Sequence, residues 1–106
     1  MDYRHRKYYL VSIPYFSRDM RIRYFKIAAP SMKMHAPYNH MSHKQQKDIL
    51  SYDGLWSKEI GLRRPDMMIS CKTEDVESIE YELRKMVRND EGHGWFYELT
   101  KNFCGQ

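Results

Sequence analysis

The stretch "MMISCKTEDVESIEYELRKMVRN", residues 67–89, contains the most regular pattern in this chain. Its first five residues are mostly apolar and are typical of a buried strand. Thr73 then predicts a helix N-cap, and acidic residues in the first turns with basic residues in the last match the helix dipole. One apolar stripe at helical spacing follows the cap: Val76, Ile79, Leu83, Met86 and Val87. The stretch therefore predicts a strand over residues 67–71 and an amphipathic helix over residues 74–89.

A last strand is predicted after this helix. The sequence "DEGHG", residues 90–94, is typical of a turn, and "WFYEL", residues 95–99, has the aromatic content of a strand. A strand–helix–strand unit crosses over right-handed, and its two strands run parallel when they lie in one sheet. We therefore expect the strands at residues 67–71 and 95–99 to be parallel.

Two further strands are predicted near the start of the chain. The sequence "KYYLVSI", residues 7–13, is rich in aromatic and β-branched residues, and Pro14 ends its ladder. The sequence "MRIRYFKIAA", residues 20–29, predicts a second strand that pairs with the first as an antiparallel hairpin. Residues 30–40 hold two prolines and predict a loop. Ser42 with Gln45 then forms a capping box, which predicts a helix over residues 43–52.

These elements give the order β-β-α-β-α-β and an α+β fold. The simplest packing is a small, mainly antiparallel four-stranded sheet with two helices on one face, and with the other face open to water or to a partner. The 106 residues are expected to form a single domain, residues 1–106, with a basic N-terminal arm at residues 1–7.

Charge is unevenly distributed along the chain. Residues 1–64 contain 13 Lys or Arg against 5 Asp or Glu, whereas residues 65–106 contain 5 against 9. This asymmetry fits an anionic partner, a plain domain whose helices differ in charge, or head-to-tail self-association. No apolar run long enough for a transmembrane helix and no secretory signal are present, so we expect no membrane insertion, a cytoplasmic location and reduced thiols at Cys71 and Cys104.

The basic residues near the start of the chain predict a nucleic-acid-binding surface. In a strand, Arg21 and Arg23 would share one face with Phe25 and Ile27 and would lie beside tyrosines of the hairpin, so that cations for phosphates lie next to aromatic rings for bases. The alternative is a half-buried hairpin kept soluble by positive charge. The aromatic–glycine pattern of the RNA-recognition motif is absent. The predicted nucleic-acid-binding residues are Arg4, Arg6, Lys7, Arg21, Arg23, Lys26, Arg63 and Arg64.

The sequence "MKMHAPYNHMSH", residues 32–43, combines three methionines with three histidines. Thioether and imidazole ligands suit Cu(I), but the stretch lacks carboxylates and thiolates, and we predict no metal and no cofactor. Methionines also repack easily against different partners. The open alternatives are an adaptable contact loop and an ordinary connection that packs on the core. The predicted partner-binding residues are Met32, Met34, His35 and Tyr38.

Enzymatic function is not predicted. The chain has no nucleophile-elbow, P-loop, zinc-protease or C-x-x-C motif. Cys71 precedes a helix, where a thiol pKa is lowered, and His93 follows that helix, so that a Cys–His pair is the one catalytic arrangement worth testing.

Two functions remain as hypotheses. The first is a small binding domain for nucleic acid or a ribonucleoprotein. The second is an inhibitor or adaptor, of the kind that phages and mobile elements encode, that binds a host enzyme or defence complex. Both allow a homodimer through a free sheet edge.

Overall fold

A computed structural model describes residues 6–35, 42–44, 65–91 and 93–99. Along the chain, the described elements are β1 (Arg6–Ser12), α1 (Arg18–Ala28), β2 (Lys33–Met34), β3 (Met67–Lys72), a 3₁₀ turn (Thr73–Asp75), α2 (Val76–Asn89) and β4 (Trp95–Leu99). Neither described helix has the length and apolarity needed to span a membrane. The predicted helix at residues 43–52 lies outside the described residues apart from its first two positions, which are helical.

The four strands form one antiparallel sheet with the order β2-β3-β1-β4. β1 is central and pairs antiparallel with β3 on one side and with β4 on the other. β3 and β4 therefore run parallel to each other, as predicted, although β1 lies between them. The predicted α+β class is confirmed, and the described elements run β-α-β up to Met34 and β-α-β from Met67 onward.

The predicted hairpin at the start of the chain is wrong, because its second strand is the helix α1. The side chain of Ser17 accepts a hydrogen bond from the backbone N–H of Met20 and caps the helix, Asp19 lies in the first turn and Lys26 in the last. These are ordinary helix signals. The alternation in "RIRYFKI" resembled a strand, but Arg21 and Phe25, four residues apart, also lie on one side of a helix, and both are buried.

Two smaller differences from the predictions concern the strand β2 and the N-terminus of α2. The strand β2 falls within residues 30–40, which were predicted to be a loop. Thr73 is the first residue of the 3₁₀ turn and not the N-cap of α2, whose cap position is Asp75.

One face of the sheet packs against both helices. Tyr9, Val11, Met67, Ile69 and Cys71 project from the sheet into a buried cluster. The helices and the segments that follow β1 and α1 supply its other members: Ile13, Phe25, Ala29, Met32, Ile79, Leu83 and Met86. Burial of each large aliphatic side chain stabilises the fold by about 1.5–3 kcal/mol.

Tyr9 links this face of the sheet to α2 by a polar contact. Its side chain is fully buried, yet its hydroxyl donates to Oε2 of Glu80 at 2.6 Å. Burial and this hydrogen bond raise the pKa of Tyr9 above its usual value, so that the hydroxyl stays a donor.

The opposite face is buried at its centre, and the prediction of an open face is wrong there. Leu10 is 0% exposed and Met68 is 4% exposed, and Tyr8, Ser70 and Leu99 are also buried. The physical reason is visible in β1 and β3, which are apolar at both alternating positions along most of their length. Such continuous runs are typical of strands covered on both faces.

An ion pair fixes α1 to the start of β3. Nη1 and Nη2 of Arg21 contact the two carboxylate oxygens of Asp66 at 2.7 and 3.1 Å, and Nε donates to the carbonyl of Phe16 at 3.0 Å. Asp66 in turn donates its backbone N–H to the carbonyl of Val11. The side chain of Arg21 is 5% exposed and that of Asp66 is 30% exposed. The pair therefore connects helix, sheet and the segment before α1.

We expect replacement of Asp66 to lower the free energy of unfolding more than replacement of Arg21. Asp66→Asn leaves a buried guanidinium without a counter-charge and should lower the free energy of unfolding by about 3 kcal/mol. Arg21→Met leaves a carboxylate that water still reaches and should lower it by only about 1–2 kcal/mol. Urea unfolding of the two variants measures the difference. Arg23→Met, at an exposed neighbouring position, is the control, and its free energy of unfolding should lie within about 0.5 kcal/mol of that of the unchanged chain. A larger decrease in the free energy of unfolding for Arg21→Met than for Asp66→Asn would contradict the expectation.

Candidate functional site

A group of cationic side chains lies at one end of the sheet, on the face opposite the helices. Arg6 is the cross-strand partner of Lys72, and Lys33 is the partner of Ser70. Paired residues project to the same face, as do residues two apart in one strand. Arg6, Lys33, His35 and Lys72 therefore share a face, and we call these four residues the cationic patch. Lys33 and Lys72 are exposed, and Arg6 and His35 are half-buried.

Hydrogen bonds hold Arg6 in the patch. Its Nε donates to Oγ of Ser70 at 2.9 Å, and its Nη2 donates to the carbonyl of Ser31 at 2.8 Å. Ser31 also links the patch to Asp75, because its backbone N–H and its hydroxyl donate to Oδ2 of Asp75 at 3.1 and 2.5 Å. Arg6 is thus oriented by neutral oxygens, and the carboxylate of Asp75 accepts from Ser31 and forms no ion pair with Arg6.

The long cations of the patch form no ion pair within the described part of the chain. The ion pairs found there join other residues, and none includes Arg6, Lys33 or Lys72. Moreover, Arg6 and Lys72 are directly opposite each other on paired strands. Like charges in that position destabilise a sheet. An anion bound between them would relieve this repulsion.

His35 adds an aromatic ring and a titratable nitrogen to the patch. Its Nε2 lies 2.7 Å from Oγ of Ser70, and its ring centroid lies 5.1 Å from that of Tyr8. Burial lowers the pKa of His35 below 6.5, and the charges of Arg6 and Lys33 lower it further. Because Arg6 donates to Ser70, the hydroxyl of Ser70 is able to donate to Nε2 of a neutral His35.

The other predicted nucleic-acid-binding residues do not join the patch. Lys7 points to the helix-facing side and forms an ion pair with Glu98 at 2.6 Å. Arg21 is buried in its pair with Asp66. Arg23 is exposed on α1, and Nζ of Lys26 donates to the carbonyl of Met32 at 3.1 Å. The helical conformation of α1 thus separates these residues from Arg6. Arg4, Arg63 and Arg64 lie outside the described residues.

The predicted partner-binding residues also lie in different environments. Met32 is in the core and Met34 packs against it, whereas His35 belongs to the cationic patch. Tyr38 lies outside the described residues. Among the residues that are described, no group of three or more His, Cys, Asp or Glu side chains is arranged to hold a metal ion.

Cys71 and His93 lie at opposite ends of the sheet. Cys71 is paired with Lys7 at the start of β1, and His93 precedes β4, whose first residue pairs with Ser12 at the end of β1. Burial also raises the pKa of the Cys71 thiol to about 11. The geometry therefore does not bring together the Cys–His pair that the sequence suggested.

Sequence reasoning missed Lys33 and Lys72 as members of the site. Their partnership with Arg6 depends on how β1, β2 and β3 align, and no local pattern in the sequence reports that alignment. No protein-family model, curated protein or solved structure matches the chain. The geometry of the described residues is therefore the basis for a functional assignment.

We expect His35 to make the fold sensitive to mild acid. Its pKa is lower in the folded chain than the 6.5 of a free histidine, so the unfolded chain binds the proton first as the pH falls. The free energy of unfolding should therefore decrease as the pH falls from 6.5 towards the folded pKa. Urea unfolding at about pH 7.5 and about pH 5.5 should show a smaller decrease for His35→Gln than for the unchanged chain. The exposed His93→Gln serves as the control, and equal pH dependence in all three proteins would contradict the assignment.

Proposed function

We propose that this protein binds nucleic acid through the cationic patch. The observation that carries the proposal is the placement of Arg6 opposite Lys72, with Lys33 on the next strand and no described carboxylate paired to any of them. Clustered Lys and Arg side chains bind phosphates by displacing counterions, and this supplies most of the affinity of sequence-independent binding.

The chemistry of the patch favours single-stranded over double-stranded nucleic acid. The cations come from three adjacent strands, which are spaced about 4.8 Å apart, so they form a compact group and not a long track. The half-exposed ring of His35 lies beside them. Aromatic side chains next to cations stack on unpaired bases, which a duplex does not offer. The patch has no set of side chains arranged to read base edges, and we expect little sequence preference.

We place this activity in the cytoplasm, where nucleic acid is accessible and the Cys71 thiol stays reduced. The predicted alternative, an inhibitor or adaptor that acts on a host enzyme or defence complex, is supported by a different surface, the exposed apolar side chains of α1. A protein that binds both nucleic acid and another protein would combine the two functions.

Charge reversal in the patch tests the proposal. We expect Lys33→Glu combined with Lys72→Glu to weaken binding of a labelled single-stranded oligonucleotide by about tenfold or more at low salt. The loss of two phosphate contacts should also reduce the slope of log affinity against log salt by roughly 1.4. Fluorescence anisotropy at several salt concentrations between about 50 and about 200 mM measures both quantities.

Arg84→Glu combined with Arg88→Glu is the matched control. It makes the same change in net charge on the exposed side of α2, where Arg84 also loses its ion pair with Glu80, and it should alter the affinity by no more than about twofold. If the two double variants weaken binding equally, the net charge of the chain determines the affinity and the cationic patch is not the binding site. If the unchanged chain binds neither single-stranded nor duplex oligonucleotide at low salt, the proposed function is wrong.

A further inference from the structure

The helix α1 presents large apolar side chains to solvent. Met20 is 41% exposed, Tyr24 is 42% exposed and Ile27 is 74% exposed. Their spacing, i, i+4 and i+7, places them in one row along the helix, and we call these three residues the α1 stripe. Of the large apolar side chains that are exposed in the described residues, only Tyr15 and Tyr81 lie elsewhere. A row at this spacing is the arrangement by which one helix packs against another.

The other side of α1 is fixed to the rest of the fold. Arg21 and Phe25 are buried, and Arg21 is bonded to Asp66 and to the carbonyl of Phe16. Lys26, which is exposed between this side and the stripe, also donates to the carbonyl of Met32. The α1 stripe is therefore held on a rigid element, which reduces the conformational entropy lost when a partner binds.

A row of charged residues runs beside the stripe. Asp19, Arg23 and Lys26 are exposed and have the same i, i+4 and i+7 spacing, one residue earlier in the chain. This row has a net charge of one positive unit, and its last two residues, Arg23 and Lys26, are both basic. An apolar stripe with a basic border is complementary to an apolar stripe with an acidic border.

We propose that the α1 stripe docks an acidic amphipathic helix of another protein. Apolar side chains of that helix would pack between Met20, Tyr24 and Ile27, and its Glu or Asp residues would lie beside Arg23 and Lys26. This surface belongs to α1, on the face of the sheet opposite the cationic patch. The inference is thus separate from nucleic-acid binding.

A second copy of the chain is a poorer occupant than an acidic helix. An antiparallel pair of α1 helices that matches Met20 with Ile27 of the other copy would place the two Arg23 side chains beside the symmetry axis. Each chain also has a net charge of +4. Both features oppose self-association through this surface.

The test uses two synthetic helical peptides as probes. Both have leucine at i, i+4, i+7 and i+11, and one has glutamate on the flanking positions where the other has lysine. Fluorescence anisotropy with the full chain should show binding of the glutamate peptide. The lysine peptide should bind with an affinity lower by about tenfold or more. Tyr24→Gln combined with Ile27→Gln should weaken binding of the glutamate peptide by about tenfold or more, because glutamine keeps the helix and removes the apolar contact.

Matched variants separate the stripe from other surfaces. Tyr15→Gln combined with Tyr81→Gln removes the two other exposed apolar side chains and should change binding by no more than about twofold. Lys33→Glu combined with Lys72→Glu, which alters the cationic patch, should likewise leave peptide binding intact and so distinguishes this inference from the proposed function.

Several outcomes would overturn the inference. Equal binding of the two peptides, or equal losses in the stripe and control variants, would show that the α1 stripe with its basic border is not a specific site. No binding of the glutamate peptide would have the same meaning. A dimer in sedimentation equilibrium that the Tyr24→Gln and Ile27→Gln changes abolish would assign the stripe to a second copy. Binding to vesicles of anionic lipid, lost in the same variant, would assign it to a membrane surface.

Discussion

The strand β1 is hydrogen-bonded along both edges and covered on both faces, and this position restricts where charge is tolerated. From Tyr8 to Val11 its side chains are buried and apolar in character, because an unpaired charge there would lose its hydration. Charged residues are therefore confined to its first two positions, and these point to opposite faces. Lys7 is neutralised by Glu98, whereas Arg6 lies opposite another cation, Lys72. The constraint that builds the core thus also places the cationic patch at one end of the sheet.

Three basic residues of α1 lie in different environments. Arg21 is buried in an ion pair with Asp66, and Lys26 donates a hydrogen bond to the carbonyl of Met32. Arg23 alone of these three projects into solvent without a described partner. Since Arg21 and Phe25 anchor the helix from one side, its opposite side is free to carry apolar residues that the core does not need. The composition of this segment is therefore better explained by two surfaces of one helix than by one face of a strand.

Much of the fold was predictable from local patterns. The strands β1, β3 and β4 and the helix α2 were predicted because their apolar periods are long and bounded by prolines, glycines or a helix dipole. The helix α1 was missed because Arg21, Phe25 and their neighbours satisfy a strand period and a helix period together, although the Ser17 cap and Asp19 gave a usable signal. The cationic patch was predictable only in part. Arg6 and His35 were predicted as binding residues, but Lys33 and Lys72 become their neighbours only through pairing between strands that are distant in sequence.

The burial of β1 on both faces has a consequence for how the sheet assembles. In a strand with one wet face, a slip by one residue exposes the whole apolar set and is strongly disfavoured. In β1 both alternating sets are largely apolar, so a slipped, misaligned sheet would bury nearly as much surface. The contacts of Arg6 with Ser70 and of Lys7 with Glu98 are made in the native alignment. These polar contacts at the start of β1 therefore favour the native register over a slipped one.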